Sequence, residues 1–380
     1  MDQVFQCYAT AAFGMEGLVS SELKKLGVGN VSAENGGVRF SASAEQVFLC
    51  NLSLHFTDRL FLILASETCK TFDQLFNLVY SIDWTIFFSG DESIDVSCKC
   101  TRSILMSPRD CQSISKKAII EKIRHSTGLK LFPESGASLP VHISIRKDYA
   151  SVLLNTSGDA LSRRGYRTWN GDAPLRETLA AALVEISGWQ RSQPLHDPCC
   201  GTGTILIEAA LRAFGVPPGI RRSFAMEKNK CFRSLDFAAL RISTSGMNDS
   251  MNSSAFRISG SDIDPSALEL ARKHIRQANL PQGLIPLTQT ALQKLVLPDE
   301  NGVFICNPPY GERLGDQKQC RILYHELYML QQRHPTWRMC VISSDPAFER
   351  SFGKKAAKKR RLYNGRLECT VYLYPPLLFQ

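Results

Sequence analysis

The stretch Leu195-His196-Asp197-Pro198-Cys199-Cys200-Gly201-Thr202-Gly203-Thr204, followed by a helix-forming run from Ile205 to Ala213, limits the fold of this 380-residue chain more than any other segment. A strand, a glycine turn and a helix in that order form the βα unit with which an open parallel sheet receives a nucleotide. A dinucleotide fingerprint requires a third glycine at position 206, where this chain has Leu206. Asp197 at the strand end also has the wrong charge for a pyrophosphate. An acid at the strand end, glycines that let the backbone approach closely, and Glu208 inside the helix suit a cationic ligand instead. The sulfonium and amino groups of S-adenosylmethionine meet that description.

A second strand-and-turn pair narrows the chemistry. Gly302 to Cys306 reads as a short buried strand, and Asn307-Pro308-Pro309-Tyr310 as the turn leaving its C-terminal end, the end at which ligands bind in open α/β sheets. The prolines fix φ and lack N–H groups, so the Pro308 carbonyl has no local donor. Asn307 adds a side-chain acceptor and Tyr310 a flat face. Acceptors beside a stacking ring suit a planar group bearing an NH2, and gripping both hydrogens stabilises the charge that grows on the nitrogen during attack. A plain structural turn is the competing reading of these residues alone. Between the two motifs, Ser261-Asp262-Ile263-Asp264-Pro265 ends another strand. An acid there binds ribose hydroxyls in such sheets, and Asp264 before Pro265 reads as a helix N-cap. A third strand is expected near Leu284 to Leu287, with Gln289 and Thr290 beyond it.

Charge divides the chain. Residues 1–96 carry a balance of −7, residues 97–170 a balance of +8, and residues 171–380 a further +8. A basic middle segment points to a polyanion-binding surface. The helix expected over Ser113 to Thr127 carries Lys116, Lys117, Lys122 and Arg124, and the linker Leu161 to Arg167 carries Arg163, Arg164 and Arg167. Both are candidate phosphate contacts, although solvated helix faces look the same. Small α/β units precede the linker, with an Asn35-Gly36 hairpin and a second hairpin across Lys147-Asp148. Residues 214–254 read as an irregular insertion in the second half, and Asn364-Gly365 turns a final hairpin after the basic run Lys354 to Arg361. The thirteen cysteines include no CxxC pair. Reduced thiols in a cytoplasmic protein, with no metal, are therefore expected. No apolar run reaches the ~20 residues of a membrane span, and no signal-peptide pattern opens the chain.

Taken together, Asp197-Pro-Cys-Cys-Gly-Thr-Gly, Ser261-Asp262-Ile-Asp264 and Asn307-Pro-Pro-Tyr310 resemble the Rossmann-like class I S-adenosylmethionine-dependent methyltransferases that act on exocyclic or amide nitrogens. The whole chain is similar to one branch of these, the bacterial THUMP-bearing guanine-N2 RNA methyltransferases, and within it to the large-subunit ribosomal RNA enzymes. That resemblance implies an α/β catalytic domain preceded by two α+β domains. Residues 1–55 would be ferredoxin-like, 56–155 a THUMP RNA-binding domain, 156–190 a linker with the leading helix, and 191–380 the methyltransferase domain. It also implies roles. Asp197, Cys199, Gly201 and Gly203 would cradle the methionine part of the cofactor, while Asp262 and Ile263 would hold its ribose side. Asn307, which also borders the cofactor, would grip the amine with Pro308 and Pro309, and Tyr310 would stack on the base. One departure stands out, because Gln289 or Thr290 occupies the place after the third strand where many relatives have an acid for the adenine amine.

Other readings differ in substrate or class. A DNA adenine-N6 enzyme shares the Asn-Pro-Pro-Tyr chemistry but carries a separate target-reading domain. A protein-glutamine enzyme shares the motif but has no need of the basic segment. Transfer RNA is an alternative substrate, and a non-catalytic RNA-binding assembly factor is the alternative class.

Overall fold

The computed structural model describes residues 3–129, 131–167, 175–245, 257–298, 301–309 and 317–379. They pack as two compact units, one of residues 1–10, 19–161 and 222–243, the other of residues 11–18, 162–221 and 244–380. No helix among the described residues is long and apolar enough to cross a membrane.

The first unit runs β1 (Val4–Ala11), α1 (Glu16–Lys25), β2 (Gly29–Glu34), β3 (Gly37–Ser43), α2 (Ala44–Ser53), β4 (Thr57–Thr68), α3 (Phe72–Tyr80), β5 (Ser93–Thr101), α4 (Pro108–Thr127), β6 (Ser138–Arg146) and β7 (Tyr149–Asn155). Its local sequence explains these boundaries. Ser43 with Gln46, and Thr71 with Gln74, are capping boxes that start α2 and α3. Ser107 accepts from the Asp110 N–H to start α4, and Gly128 ends it in the left-handed region. Lys147 and Asp148 both take positive φ in the β6–β7 turn, the primed geometry that matches strand twist.

The strands join one sheet, in the order β2-β3-β1-β4-β7-β6-β5, with β5 and β6 parallel at the edge. The two N-terminal modules expected from the sequence therefore share a continuous sheet. A buried knot ties it together. Asn51 donates to Thr156 Oγ1 at 3.0 Å and accepts from Ser157 Oγ at 2.6 Å, and Thr156 Oγ1 donates to the Leu60 carbonyl.

Residues 222–243, expected within the catalytic half, belong to this first unit. Arg222 donates to the carbonyls of Asp159 and Ala160, the Met226 N–H donates to Thr156 O, and Phe224 meets Phe48 edge-on at 5.7 Å.

The second unit continues with α5 (Glu177–Ile186), β8 (Leu195–Asp197) and α6 (Thr204–Ala213). After α7 (Phe237–Ser245), most of which lies in the first unit's insertion, come β9 (Ile258–Asp262), α8 (Pro265–Gln277), β10 (Leu287–Gln289), β11 (Val303–Cys306), α9 (Gln317–Arg333), β12 (Arg338–Ser343), α10 (Phe348–Phe352), β13 (Lys358–Asn364) and β14 (Leu367–Tyr374). The third strand lies a few residues later than the sequence suggested, and α9 was not anticipated.

The order β10-β9-β8-β11-β12-β14-β13, in which only β14 runs antiparallel to the rest, is a doubly wound sheet. Every residue of β11 is buried, as expected of a parallel strand covered on both faces. Phe304 and Cys306 pack with Tyr324, Leu327 and Leu330 of α9. Alternation then turns Val303 and Ile305 to the opposite face. The order reverses between β8 and β11, and that switch point is where such sheets bind ligands.

Candidate functional site

The site lies at the C-terminal ends of β8, β9, β10 and β11. Asp197 ends β8, Asp262 ends β9, Thr290 follows β10 and Asn307 follows β11. Register holds these ends level, with Asp197 opposite Gly260 and Gln289 opposite Asp262. Beneath them His196 bridges Ser259 Oγ at 2.8 Å and Ser261 Oγ at 3.0 Å. Burial lowers its pKa to about 3, so a neutral ring ties β8 to β9.

The glycine turn is built for close approach. Gly201 has φ +51° with open space where a Cβ would stand. Gly203 has φ +80° and caps α6, and a Cβ there would lie 3.2 Å from Ala271. The third glycine missing from position 206 has a counterpart on the neighbouring strand. A Cβ on Gly260 would lie 2.4 Å from Leu206 Cδ1, so Gly260 supplies the tight helix–sheet contact that Leu206 cannot. Asp262 anchors the turn by accepting from the Gly201 N–H at 2.8 Å and the Asp264 N–H at 3.0 Å. His274 of α8 donates to the Thr202 carbonyl at 3.2 Å. Asp264 caps α8 through the Ser266 N–H.

A cavity of about 570 Å³ opens here, bordered by Asp197, Cys199, Gly201, Asp262, Ile263 and Asn307 among others. That volume is within the ligand-pocket range. Asp197 is 1% exposed, accepts from the Cys199 N–H at 3.1 Å, and is held by burial well above the ordinary carboxylate range. A cation in the cavity is what would keep it ionised. Asn307 Oδ1 is buried and has no hydrogen-bond partner among the described residues, a costly arrangement unless a donor arrives. An amphiphilic ligand with a cationic head and ribose hydroxyls fits this lining, as S-adenosylmethionine would.

Among the sequence-derived candidates, Pro309 borders the cavity, Pro308 is buried beside it, and Tyr310 lies outside the described residues. Thr290 borders the cavity, while Gln289 donates to the Ile263 carbonyl at 3.4 Å. The part of the lining that α9 supplies was missed. Gln319, Ile322, Leu323 and Glu326 of α9 also face the cavity. Their i, i+3, i+4, i+7 spacing was the available signal.

Two candidates are corrected by burial. Arg164 is 2% exposed and pairs with Glu208, itself 1% exposed, at 3.7 Å. Arg167 pairs with Glu177 at 3.6 Å, donates to the Leu175 carbonyl at 3.1 Å and bonds Thr204 Oγ1. Neither can reach a phosphate, and Glu208, which also accepts from Tyr166 Oη at 2.8 Å, is not a ligand of the cavity. The outer face of α4 is different. There Lys117 is 68% exposed, Lys116 meets Glu134 at 2.8 Å, and the Arg124 guanidinium lies 5.4 Å from the Phe132 ring. Arg163 is exposed.

Comparison with known proteins agrees with this architecture. Residues 164–372 match the family model of the RMKL-like methyltransferase domain, 6–61 that of the RlmL ferredoxin-like domain, and 69–155 that of the THUMP domain. The putative RNA methyltransferase YpsC of Bacillus subtilis is 37% identical over 370 residues, covering 96% of this chain and 94% of its own length. The ribosomal RNA large subunit methyltransferase K/L of Psychromonas ingrahamii is 32% identical over 97% of this chain, which spans only 50% of that protein. The crystal structure of SMU.472, a putative methyltransferase complexed with SAH, superposes with a TM-score of 0.91 at 37% identity over 99% of both chains.

Proposed function

The chain belongs to the RMKL-like methyltransferase family, and from that premise we propose that it methylates the exocyclic N2 of a guanine in RNA, with large-subunit ribosomal RNA as substrate. S-adenosylmethionine is its cofactor and, when bound, supplies an electrophilic methyl group on a sulfonium sulfur. The observation that carries the reading is the buried Asn307 Oδ1, without a hydrogen-bond partner among the described residues, on the wall shared with Asp197 and Asp262. Asp197 would receive the cationic head and Asp262 the ribose hydroxyls. Asn307 would accept from the amine, whose nitrogen would take the methyl group as the carbon–sulfur bond of the sulfonium opens and whose displaced proton would pass to water. Positioning and stabilisation of the charge growing on that nitrogen account for the rate. The base would leave its stack to reach the cavity, while the first unit would grip RNA through phosphates with Lys116, Lys117 and Arg124 as contacts, and Arg163 would serve as a contact on the second unit. Support for the substrate class comes from the matched THUMP domain and the K/L relatives.

Radiolabelled S-adenosylmethionine offered with unmodified large-subunit rRNA, small-subunit rRNA and tRNA, followed by nucleoside chromatography, tests this. N2-methylguanosine in large-subunit rRNA is expected. The same nucleoside in tRNA would move the substrate, and N6-methyladenosine would overturn the base. Asn307→Ala should slow transfer by roughly 10²–10³-fold with cofactor affinity near normal. Equal loss of both, or of neither, would remove Asn307 from its role.

A further inference from the structure

Outside the cavity, one cluster of soft ligand atoms has no part in methyl transfer. Cys98 and Cys100 are alternate residues of β5, so their side chains share a face, and that face is covered by α4, whose first turn carries Cys111. Cys98 Sγ lies 3.7 Å from Cys100 Sγ, and Cys100 Sγ lies 4.0 Å from Cys111 Sγ. All three sulfurs fall within 4.8 Å of one another, the one such group of three metal-ligating side chains among the described residues. A metal–sulfur bond of about 2.3 Å sets ligand sulfurs roughly 3.8 Å apart in a tetrahedral site and roughly 4.0 Å apart in a trigonal one. The thiols already stand near those separations. Cys111 is buried, but Cys98 and Cys100 are half-buried on the edge strand of the sheet, so the site is open to solvent on one side.

We propose that Cys98, Cys100 and Cys111 bind a thiophilic d10 cation of the Zn(II) and Cu(I) class, which fastens the first turn of α4 to β5. Three sulfur ligands select such cations over Mg(II) or Ca(II). Binding forms three metal–sulfur bonds and releases the three thiol protons to solvent. Cu(I) is complete with three thiolates, whereas Zn(II) takes a fourth ligand from solvent. Because α4 also carries Lys116, Lys117 and Arg124, the cation would stiffen the helix that presents them. All three cysteines lie in the first unit, so the proposal stands or falls separately from the methyl-transfer reading.

Reduced, chelator-stripped full-length protein titrated with Zn(II) against a chromophoric chelator, and separately with Cu(I) under anaerobic conditions, tests it. One tight equivalent is expected, with the stronger-binding cation identifying the source. Cys98→Ser and Cys100→Ser should each weaken binding by at least about 100-fold, the upper end of what even outer-shell changes cost, while Cys231→Ser leaves it unchanged. Should the serine variants misfold, alkylation of the wild type read by peptide mass spectrometry decides instead. Bound cation must then shield Cys98, Cys100 and Cys111 and leave Cys231 labelled. Binding unaltered by the substitutions, shielding elsewhere, or a Cys100–Cys111 disulfide that forms while cation is present would overturn the proposal.

Discussion

Two stretches of equal net charge, α4 and the linker Arg163 to Arg167 at +3 each, end in opposite environments. In α4 the inner face is Cys111, Ser115, Ala118, Ile119 and Ile123, and helical spacing leaves the lysines outside. The acids that meet them, Glu134 and Glu121, are themselves exposed. Such pairs are worth about 0–1 kcal/mol, so the cations keep their affinity for a polyanion. The linker has no helical face to hold its cations outward, and the second unit offers buried acids. Glu208 on α6 takes Arg164 and Tyr166, and Glu177 on α5 takes Arg167. A basic run is a surface only where the fold provides no buried carboxylate to receive it.

Removing a receiving acid should have the largest effect. Glu208→Ala takes from the buried Arg164 the carboxylate it pairs with and from Tyr166 its acceptor, and is expected to cost about 3–5 kcal/mol in urea unfolding of the second unit. A cost below about 1 kcal/mol would mean that Arg164 reaches water, undoing the contrast with α4. Arg167→Ala should cost about 1–3 kcal/mol through its lost hydrogen bonds. It should also weaken cofactor binding measured by calorimetry, because its partners Thr204 and Leu175 border the cavity. The α4 lysines should behave inversely. Lys116→Ala with Lys117→Ala should leave the melting temperature nearly unchanged and flatten the salt dependence of RNA binding by roughly one unit per lysine. A large fall in stability would place α4 with the linker instead. Arg163→Ala, within the linker but exposed, should give the smallest change, within about 0.5 kcal/mol in stability. A greater loss than Arg167→Ala would reverse the assignment within the linker itself.

Local rules made much of the second unit readable. Short buried strands at Leu195, Ile258 and Val303, each ending in a turn with glycine, aspartate or proline, could serve only a parallel sheet, and its switch point had to lie beside Asp197 and Asn307. The Asn35-Gly36, Lys147-Asp148 and Asn364-Gly365 turns were legible for the same reason, since their φ preferences act over a few residues. The third strand was misplaced because Leu284 and Ile285 are apolar and buried without being in the sheet. Helix α9 escaped notice although its apolar spacing was present, and with it Glu326 and Gln319 on the cavity wall.

By itself, then, the sequence determined the strand ends that carry the acids, the glycine turn and the Asn-Pro-Pro element, because backbone preferences and side-chain periodicity are properties of neighbouring residues. Only the tertiary structure decided which charges are buried, that residues 222–243 pack with the first unit, that Gly260 does the work a glycine at 206 would have done, and that Cys111 joins Cys98 and Cys100. Each of these depends on which distant side chain fills a given space, and burial energies are set by that proximity rather than by order along the chain.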